Sequence, residues 1–193
     1  ATRLGKKLIV RDALDREELV TLDQQKRVLT PDDIVIANEN EAIGLAGVMG
    51  GATTEVEKDT TEIIIESAIF DAVSVRKTSK KILRSEASNR FEKGLDPKRT
   101  KMAIQRACHL LEKYANGKVD ALSIVYDKTN TSDKVIEITS GDVNQVLGTN
   151  LDAKTIIDVF HRLGFMTTLE DEKIIVTVPS RRLDISIRED LIE

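Results

Sequence analysis

The sequence is short of cysteine and of aromatic residues, and these shortages exclude several kinds of protein. One cysteine, Cys108, in 193 residues excludes an internal disulfide framework and a zinc site built from several cysteines. Aromatic residues make up 3% of the chain and tryptophan is absent, so a platform that stacks nucleic-acid bases is not expected. The longest stretch without charge, about Ala42 to Thr54, is broken by glycines, whereas a membrane-spanning helix needs about 20 apolar residues. We therefore expect a cytoplasmic protein with no membrane partner.

Charged residues are plentiful, at 32% of the chain, and they are unevenly distributed. The net charge of −4 excludes a uniformly basic nucleic-acid coat. The segment from Arg76 to Lys101, however, contains ten basic and three acidic residues. Its net charge is therefore +7, and that of the remainder of the chain is −11. Such polarity predicts a partner that bears phosphates, and the alternative is a solvated helix face.

The residue patterns predict an α+β fold with two domains, residues 1–122 and 134–193, joined by a linker at 123–133. Short apolar runs in the first domain predict strands of a mixed sheet: Lys7–Ala13, Glu18–Leu22, Arg27–Thr30, Asp33–Asn38, Ala42–Ala46, Glu62–Ile69 and Val119–Tyr126. The continuous β-branched run within Glu62–Ile69 is typical of a strand buried on both faces.

Two helices are predicted in the first domain. One spans about Asp71–Leu83. The other opens at Asp96 and Pro97, because aspartate suits the N-cap and proline suits the first helical position. Its apolar face is expected to contain residues at helical spacing: Ala103, Ala107, Leu110, Leu111 and Tyr114.

The second domain has the outline of a winged helix-turn-helix. Its predicted elements are, in order, the strand Val135–Ile138, the helices Ser140–Leu147 and Leu151–Leu163, and a hairpin of Met166–Leu169 and Ile174–Val178. The charges on the second helix sum to zero, which is unsuited to reading DNA. A protein contact is therefore favoured over DNA binding.

Two features of the first domain are candidates for a binding site. The stretch Gly44–Gly51 contains four glycines that allow a ligand to approach the backbone, although its spacing matches neither a phosphate loop nor a dinucleotide fingerprint. A tight turn is the alternative. Glu66 interrupts an apolar strand, where a carboxylate costs free energy unless it is hydrogen-bonded or recognises a ligand. The alternatives for Glu66 are a solvent-facing position or a helix cap.

A group of carboxylates lies near the C-terminal end of the sequence. Asp190 and Glu193 are three residues apart and share a helix face, and Asp184 lies just upstream. Carboxylate oxygens suit magnesium better than zinc, but acidic residues also favour helix starts. His109 and His161 have no ligand spacing, and no catalytic triad can be assembled from the sequence.

Three motifs of the first domain resemble the editing domain of the bacterial phenylalanine–tRNA ligase β subunit: Gly47–Gly51, Ile65–Phe70 and Ser85–Pro97. The second half is similar to the small domain that follows it in that family, through Leu163–Phe165, Val178–Asp184 and Glu189–Glu193. The resemblance covers nearly the whole chain, with order and spacing kept.

The resemblance implies part of an (αβ)₂ enzyme that attaches phenylalanine to its tRNA with ATP and magnesium. The α subunit carries out synthesis, and this region of the β subunit hydrolyses tyrosine wrongly attached to tRNA(Phe). Glu66 would read the tyrosine hydroxyl, with Gly47, Gly50, Ser85 and Ala87 in the same pocket. Asp184, Asp190 and Glu193 would be associated with magnesium at the α-subunit contact. Candidates for tRNA contact in the basic segment are Lys80, Lys81, Arg84 and Arg90.

Some features depart from the family pattern. Ser85 and Glu86 stand where threonine and aspartate are expected. The sequence begins without methionine and ends within a predicted helix, so it is expected to be a piece of a longer polypeptide, lacking further pocket residues and one more carboxylate. ATP is expected to be used by the whole enzyme and not bound here. The alternative function is a non-catalytic tRNA- or protein-binding scaffold.

Overall fold

The computed structural model describes residues 4–120 and 125–193, which cluster into two compact units. The first contains the residues up to Leu95 together with Thr100–Val119. The second contains Asp96–Arg99 and the residues from Asp120 onward. No helix among the described residues has the length and hydropathy needed to cross a membrane.

The first unit is built on antiparallel strands. Strands β1 (Ile9–Asp12), β4 (Ile34–Ala37), β5 (Ala42–Leu45) and β6 (Met49–Gly50) form a four-stranded sheet in the order β1-β4-β5-β6. Strands β2 (Glu18–Val20) and β3 (Lys26–Val28) form a separate hairpin. The α+β class is confirmed, and every described strand pair is antiparallel, where the sequence predicted a mixed sheet.

Three helices complete the first unit: α1 (Ala72–Lys81), α2 (Glu86–Phe91) and α3 (Arg99–Ala115). Helix α1 confirms the prediction for 71–83, with Asp71 as its N-cap. Helix α3 begins two residues later than predicted. The Asp96 carboxylate accepts a hydrogen bond from the Lys98 backbone N–H, so Asp96 and Pro97 form the turn that precedes the helix.

Two further sequence predictions for this unit are wrong. Glu62–Ile69 is not a strand among the described residues, and Ile63 and Ile64 are 48% and 55% exposed. A β-branched run becomes a buried strand only where another strand pairs with it. The apolar face of α3 is also shifted, because Ala103, Leu110 and Tyr114 are exposed. Its half-buried positions are Ile104, Ala107, Cys108 and Leu111.

The core of the first unit lies between the sheet and the first two helices. Its fully buried side chains include Leu29, Val35 and Val75. Phe70 packs on Phe91 of α2, with 5.6 Å between ring centroids. This packing fixes the end of the segment that carries Glu66.

The second unit contains the elements that its sequence predicts. Its sheet has the order β7-β9-β8 and is formed by β7 (Lys134–Thr139), β8 (Met166–Glu170) and β9 (Lys173–Val178). Its helices are α4 (Ser140–Leu147), α5 (Ala153–Arg162) and α6 (Arg188–Ile192). The Asp152 carboxylate accepts from the Thr155 backbone N–H at 2.9 Å, which confirms the predicted N-cap.

The segment between the last helix of the first unit and β7 is only partly described. Four residues of the predicted strand Val119–Tyr126, residues 121–124, lie outside the described residues. Val125 and Tyr126 are exposed and belong to no strand. Residues 127–133, inside the predicted linker, are exposed and have no regular secondary structure.

Candidate substrate pocket

A cleft of about 610 Å³ opens beside β5 and β6 in the first unit. It contains four of the five residues that the sequence assigns to a substrate pocket: Gly47, Gly50, Glu66 and Ala87. Its remaining lining is Leu22, Ile36, Gly44, Leu45, Val48, Met49, Ser67, Ala68 and Phe91. Glu66 and Ser67 are therefore the only described lining residues with a polar or charged side chain.

The glycine stretch forms the floor of the cleft at the turn between β5 and β6. Gly47 has a φ of +68°, and a Cβ added there would lie 3.1 Å from Val75 Cγ2 and 3.2 Å from Phe91 Cγ. Glycine is therefore needed at this position both for the turn and for the close packing of α1 and α2. At Gly50 an added Cβ would meet only the Leu22 side chain, at 3.3 Å from Cδ1. The absence of a side chain at Gly50 keeps the cleft open.

Ser85 does not line the cleft, in contrast to its sequence assignment as a substrate-binding residue. Its Oγ donates to the Val48 carbonyl at 2.6 Å and accepts from the Ser88 backbone N–H at 3.0 Å. The Ser85 hydroxyl thus caps α2 and ties it to the glycine turn. In doing so it holds Ala87, the second residue of α2, at the pocket wall.

Glu66 lies on the wall of the cleft without a hydrogen-bond partner among the described residues. The residue is exposed, yet burial of its carboxyl group among the surrounding protein atoms raises its pKa. A group at the opening of a cleft can face solvent and still lose part of its hydration, so the solvent-facing alternative for Glu66 is borne out in part. An unpaired carboxylate of this kind can accept a hydrogen bond from a ligand.

Several lining residues were not among those predicted from the sequence. Leu22 reaches the cleft from the loop after β2, and no local pattern connects it with the glycine turn. Phe91 could have been found, because it lies four residues after Ala87 and residues at this spacing share a helix face. Ser67 follows Glu66 directly but carries no motif of its own.

The basic residues proposed for RNA contact divide into two pairs. Lys80 and Arg84 are exposed, with no partner among the described residues. Lys81 instead pairs with the buried carboxylate of Asp33 and donates to Thr30 Oγ1 at 2.8 Å. Arg90 pairs with Glu86 at 2.9 Å, although both side chains remain largely exposed. The first pair is therefore better suited to bind a phosphate.

The three carboxylates proposed for magnesium do not form a metal site among the described residues. Arg182 donates to both oxygens of Asp184, through Nε at 3.0 Å and Nη2 at 2.7 Å, and lowers the pKa of Asp184. The Asp190 carboxylate accepts from the Ser186 and Ile187 backbone N–H groups, which lower its pKa. These residues as arranged do not fit a magnesium ion, because two of the carboxylates already have partners.

Two protein-family models match the chain in succession. The B3/4 domain model matches residues 1–116, and the tRNA synthetase B5 domain model matches residues 136–193. The first match contains the whole cleft and the basic segment. The second contains the three carboxylates.

The chain is similar to curated phenylalanine–tRNA ligase beta subunits. It is 48% identical over 195 residues to that of Staphylococcus haemolyticus strain JCSC1435 and 46% identical over 190 residues to that of Staphylococcus aureus strain N315. Each match covers 98% of this chain and 24% of the relative, so the chain spans about a quarter of their length.

The chain is also similar to a solved structure. That structure is an N-terminal fragment of the phenylalanyl-tRNA synthetase beta-subunit from Pyrococcus horikoshii, with a TM-score of 0.48 and 10% sequence identity. The match covers 99% of this chain and 55% of that one.

Proposed function

The chain belongs to the B3/4 domain family, and from the geometry of its cleft we propose that it edits aminoacyl-tRNA within a phenylalanine–tRNA ligase β subunit. The substrate is tyrosine wrongly esterified to tRNA(Phe), and the reaction is hydrolysis of that ester. The observation that carries the proposal is the unpaired Glu66 carboxylate in an otherwise largely apolar cleft.

Glu66 supplies the selectivity that this reaction requires. Tyrosine and phenylalanine differ by one hydroxyl, and the apolar cleft walls would accept either ring. The tyrosine hydroxyl donates a hydrogen bond to the Glu66 carboxylate, whereas a bound phenylalanine ring would displace water from this carboxylate without offering it a donor. Sites that pair with a substrate hydroxyl discriminate by up to about 10⁴–10⁵.

The cleft is suited to polarise an ester carbonyl through its backbone. Hydrolysis needs a positioned water and stabilisation of the negative charge that develops on the carbonyl oxygen. The described residues provide no acceptor for the Gly47 backbone N–H, which makes this group a candidate donor to the ester carbonyl oxygen. No histidine or cysteine lines the cleft among the described residues. We assign no general base to the protein, and a hydroxyl of the tRNA is a candidate for this role.

The remaining parts of the proposal concern partners. The tRNA acceptor end contacts Lys80 and Arg84 through its phosphates, while synthesis with ATP and Mg²⁺ takes place in the α subunit of an (αβ)₂ assembly. Asp184, Asp190 and Glu193 stay candidates for magnesium only where the α-subunit contact rearranges the Arg182–Asp184 pair. Support for these statements comes from the family resemblance and from the exposed positions of Lys80 and Arg84.

The test is deacylation of tyrosyl-tRNA(Phe) and phenylalanyl-tRNA(Phe) by the complete enzyme, comparing the wild type with Glu66→Ala and Glu66→Gln. We expect Glu66→Ala to lower kcat/KM for the tyrosyl ester and to reduce the preference for tyrosine. Glu66→Gln retains an acceptor oxygen and should keep part of that preference. An unchanged preference in both variants would refute the proposal and favour the scaffold alternative.

A further inference from the structure

Ser67 makes a long-range hydrogen bond beside the carboxylate that we propose reads the substrate. Its Oγ donates to the Thr100 carbonyl at 2.8 Å, across 33 residues of sequence. Thr100 lies in the first turn of α3, and both residues belong to the first unit. The bond therefore connects the cleft wall to a helix that does not itself line the cleft.

Within the described residues, the wall segment 63–70 has little other hydrogen bonding to hold it. Residues 63–70 belong to no strand among the described residues, and no backbone–backbone hydrogen bond is found there within the described part of the chain. Packing holds the C-terminal side of the segment, where Ala68 contacts the core and Phe70 stacks on Phe91. On the N-terminal side, Ile63 and Ile64 are half-exposed. Glu66 lies between the packed part and the exposed part.

We propose that Ser67 is a positioning residue, which through its bond to α3 fixes the backbone that carries Glu66 and thereby sets the preference for a hydroxylated side chain. This inference rests on the proposed editing function. Because the Ser67 hydroxyl hydrogen is donated to Thr100, it is not available to the substrate. Ser67 therefore acts through Glu66 and not by donating to the ligand.

The expected effect follows from the strength of one hydrogen bond. A neutral hydrogen bond contributes a net free energy that corresponds to roughly a two- to tenfold change in an equilibrium. Losing the Ser67 bond lets the wall adopt positions in which Glu66 is out of reach of the substrate hydroxyl. We expect Ser67→Ala to lower the ratio of kcat/KM for tyrosyl and phenylalanyl esters by roughly two- to tenfold, with little change for the phenylalanyl ester.

A double-mutant cycle in the complete enzyme tests the inference. The variants are Ser67→Ala, Glu66→Ala and the pair together, with Ser67→Thr as the conservative variant that retains a hydroxyl donor. Residues that act through one another have non-additive effects. We expect Ser67→Ala to have no further effect on the ratio once Glu66 is alanine, and Ser67→Thr to restore it.

Three outcomes separate failure of this inference from failure of the proposed function. If Glu66→Ala lowers the ratio but Ser67→Ala leaves it at the wild-type value, the positioning role is refuted and the editing proposal stands. If Ser67→Ala lowers the tyrosyl-to-phenylalanyl ratio of kcat/KM equally in the wild-type and Glu66→Ala backgrounds, Ser67 acts on the substrate directly. The inference is then also overturned. If Glu66→Ala leaves the ratio unchanged, the proposed function fails, and the inference that rests on it fails as well.

Discussion

Two glycines of one cleft provide a matched test of the packing described above. Gly47 and Gly50 are three residues apart and both line the cleft, but only Gly47 has a positive φ. An alanine at position 47 would be in the left-handed region, which costs roughly 1–2 kcal/mol. Its Cβ would also lie 3.1–3.3 Å from Val75 and Phe91, and overpacking of this kind costs about 1–3 kcal/mol. We expect Gly47→Ala to lower the free energy of unfolding by about 2–5 kcal/mol.

Gly50→Ala should behave differently. Its only close neighbour would be the Leu22 side chain, which is 42% exposed and free to move. The free energy of unfolding should therefore change by less than about 1 kcal/mol, although the added methyl group narrows the cleft and should weaken substrate binding. Urea unfolding of the 193-residue chain, followed by far-ultraviolet circular dichroism, measures both variants. Equal destabilisation by the two substitutions would contradict the role assigned to the Gly47 turn.

Two further predictions concern charges. Burial of the Asp33 carboxylate opposes its ionisation, but hydrogen bonds from Lys81 and Thr78 outweigh burial and lower its pKa. Its contribution to stability is thus present above the unfolded pKa of about 4 and is lost as the pH falls through the folded pKa. Asp33→Asn should lower the urea midpoint of unfolding at pH 7 and make that midpoint less dependent on pH in the acid range. If the midpoint of the variant falls with pH as steeply as that of the wild type, Asp33 is not the group responsible. In the complete enzyme, Lys80→Glu with Arg84→Glu should weaken tRNA(Phe) binding and reduce its salt dependence. Filter binding at two salt concentrations measures the tRNA affinity, with Lys154→Glu as the control. An equal loss of affinity in the control and in the double variant would contradict specific binding at Lys80 and Arg84.

The elements of the second unit were predictable because their signals are local. Helix α4 begins and ends where its sequence pattern indicates, with Gly148 in the left-handed conformation after its last turn. Helix α5 has its N-cap at Asp152, as predicted. Capping residues and glycines act on neighbouring backbone groups, so their effect can be interpreted without knowledge of the rest of the fold.

The failures in the first unit involve contacts that are distant in sequence. The apolar run Glu62–Ile69 has the composition of a strand, but composition specifies no pairing partner. Ser85 lies in a motif that resembles a pocket element, yet its hydroxyl donates a hydrogen bond to the Val48 carbonyl, 37 residues away in sequence. In both cases the residue type was evident from the sequence, while its partner could be found only in three dimensions.

The scarcity of polar side chains in the cleft is what gives Glu66 its proposed role. A wall with many donors and acceptors could satisfy a tyrosine hydroxyl in several orientations, and the removal of any one group would matter little. Here the cleft offers one unpaired carboxylate and one serine whose hydrogen is already donated to Thr100. Discrimination should therefore depend on where a single side chain is held, because a desolvated acceptor penalises an unmatched ligand only if it cannot turn back to water. On this reasoning, the precision of the wall segment that carries Glu66 determines selectivity as much as the carboxylate itself.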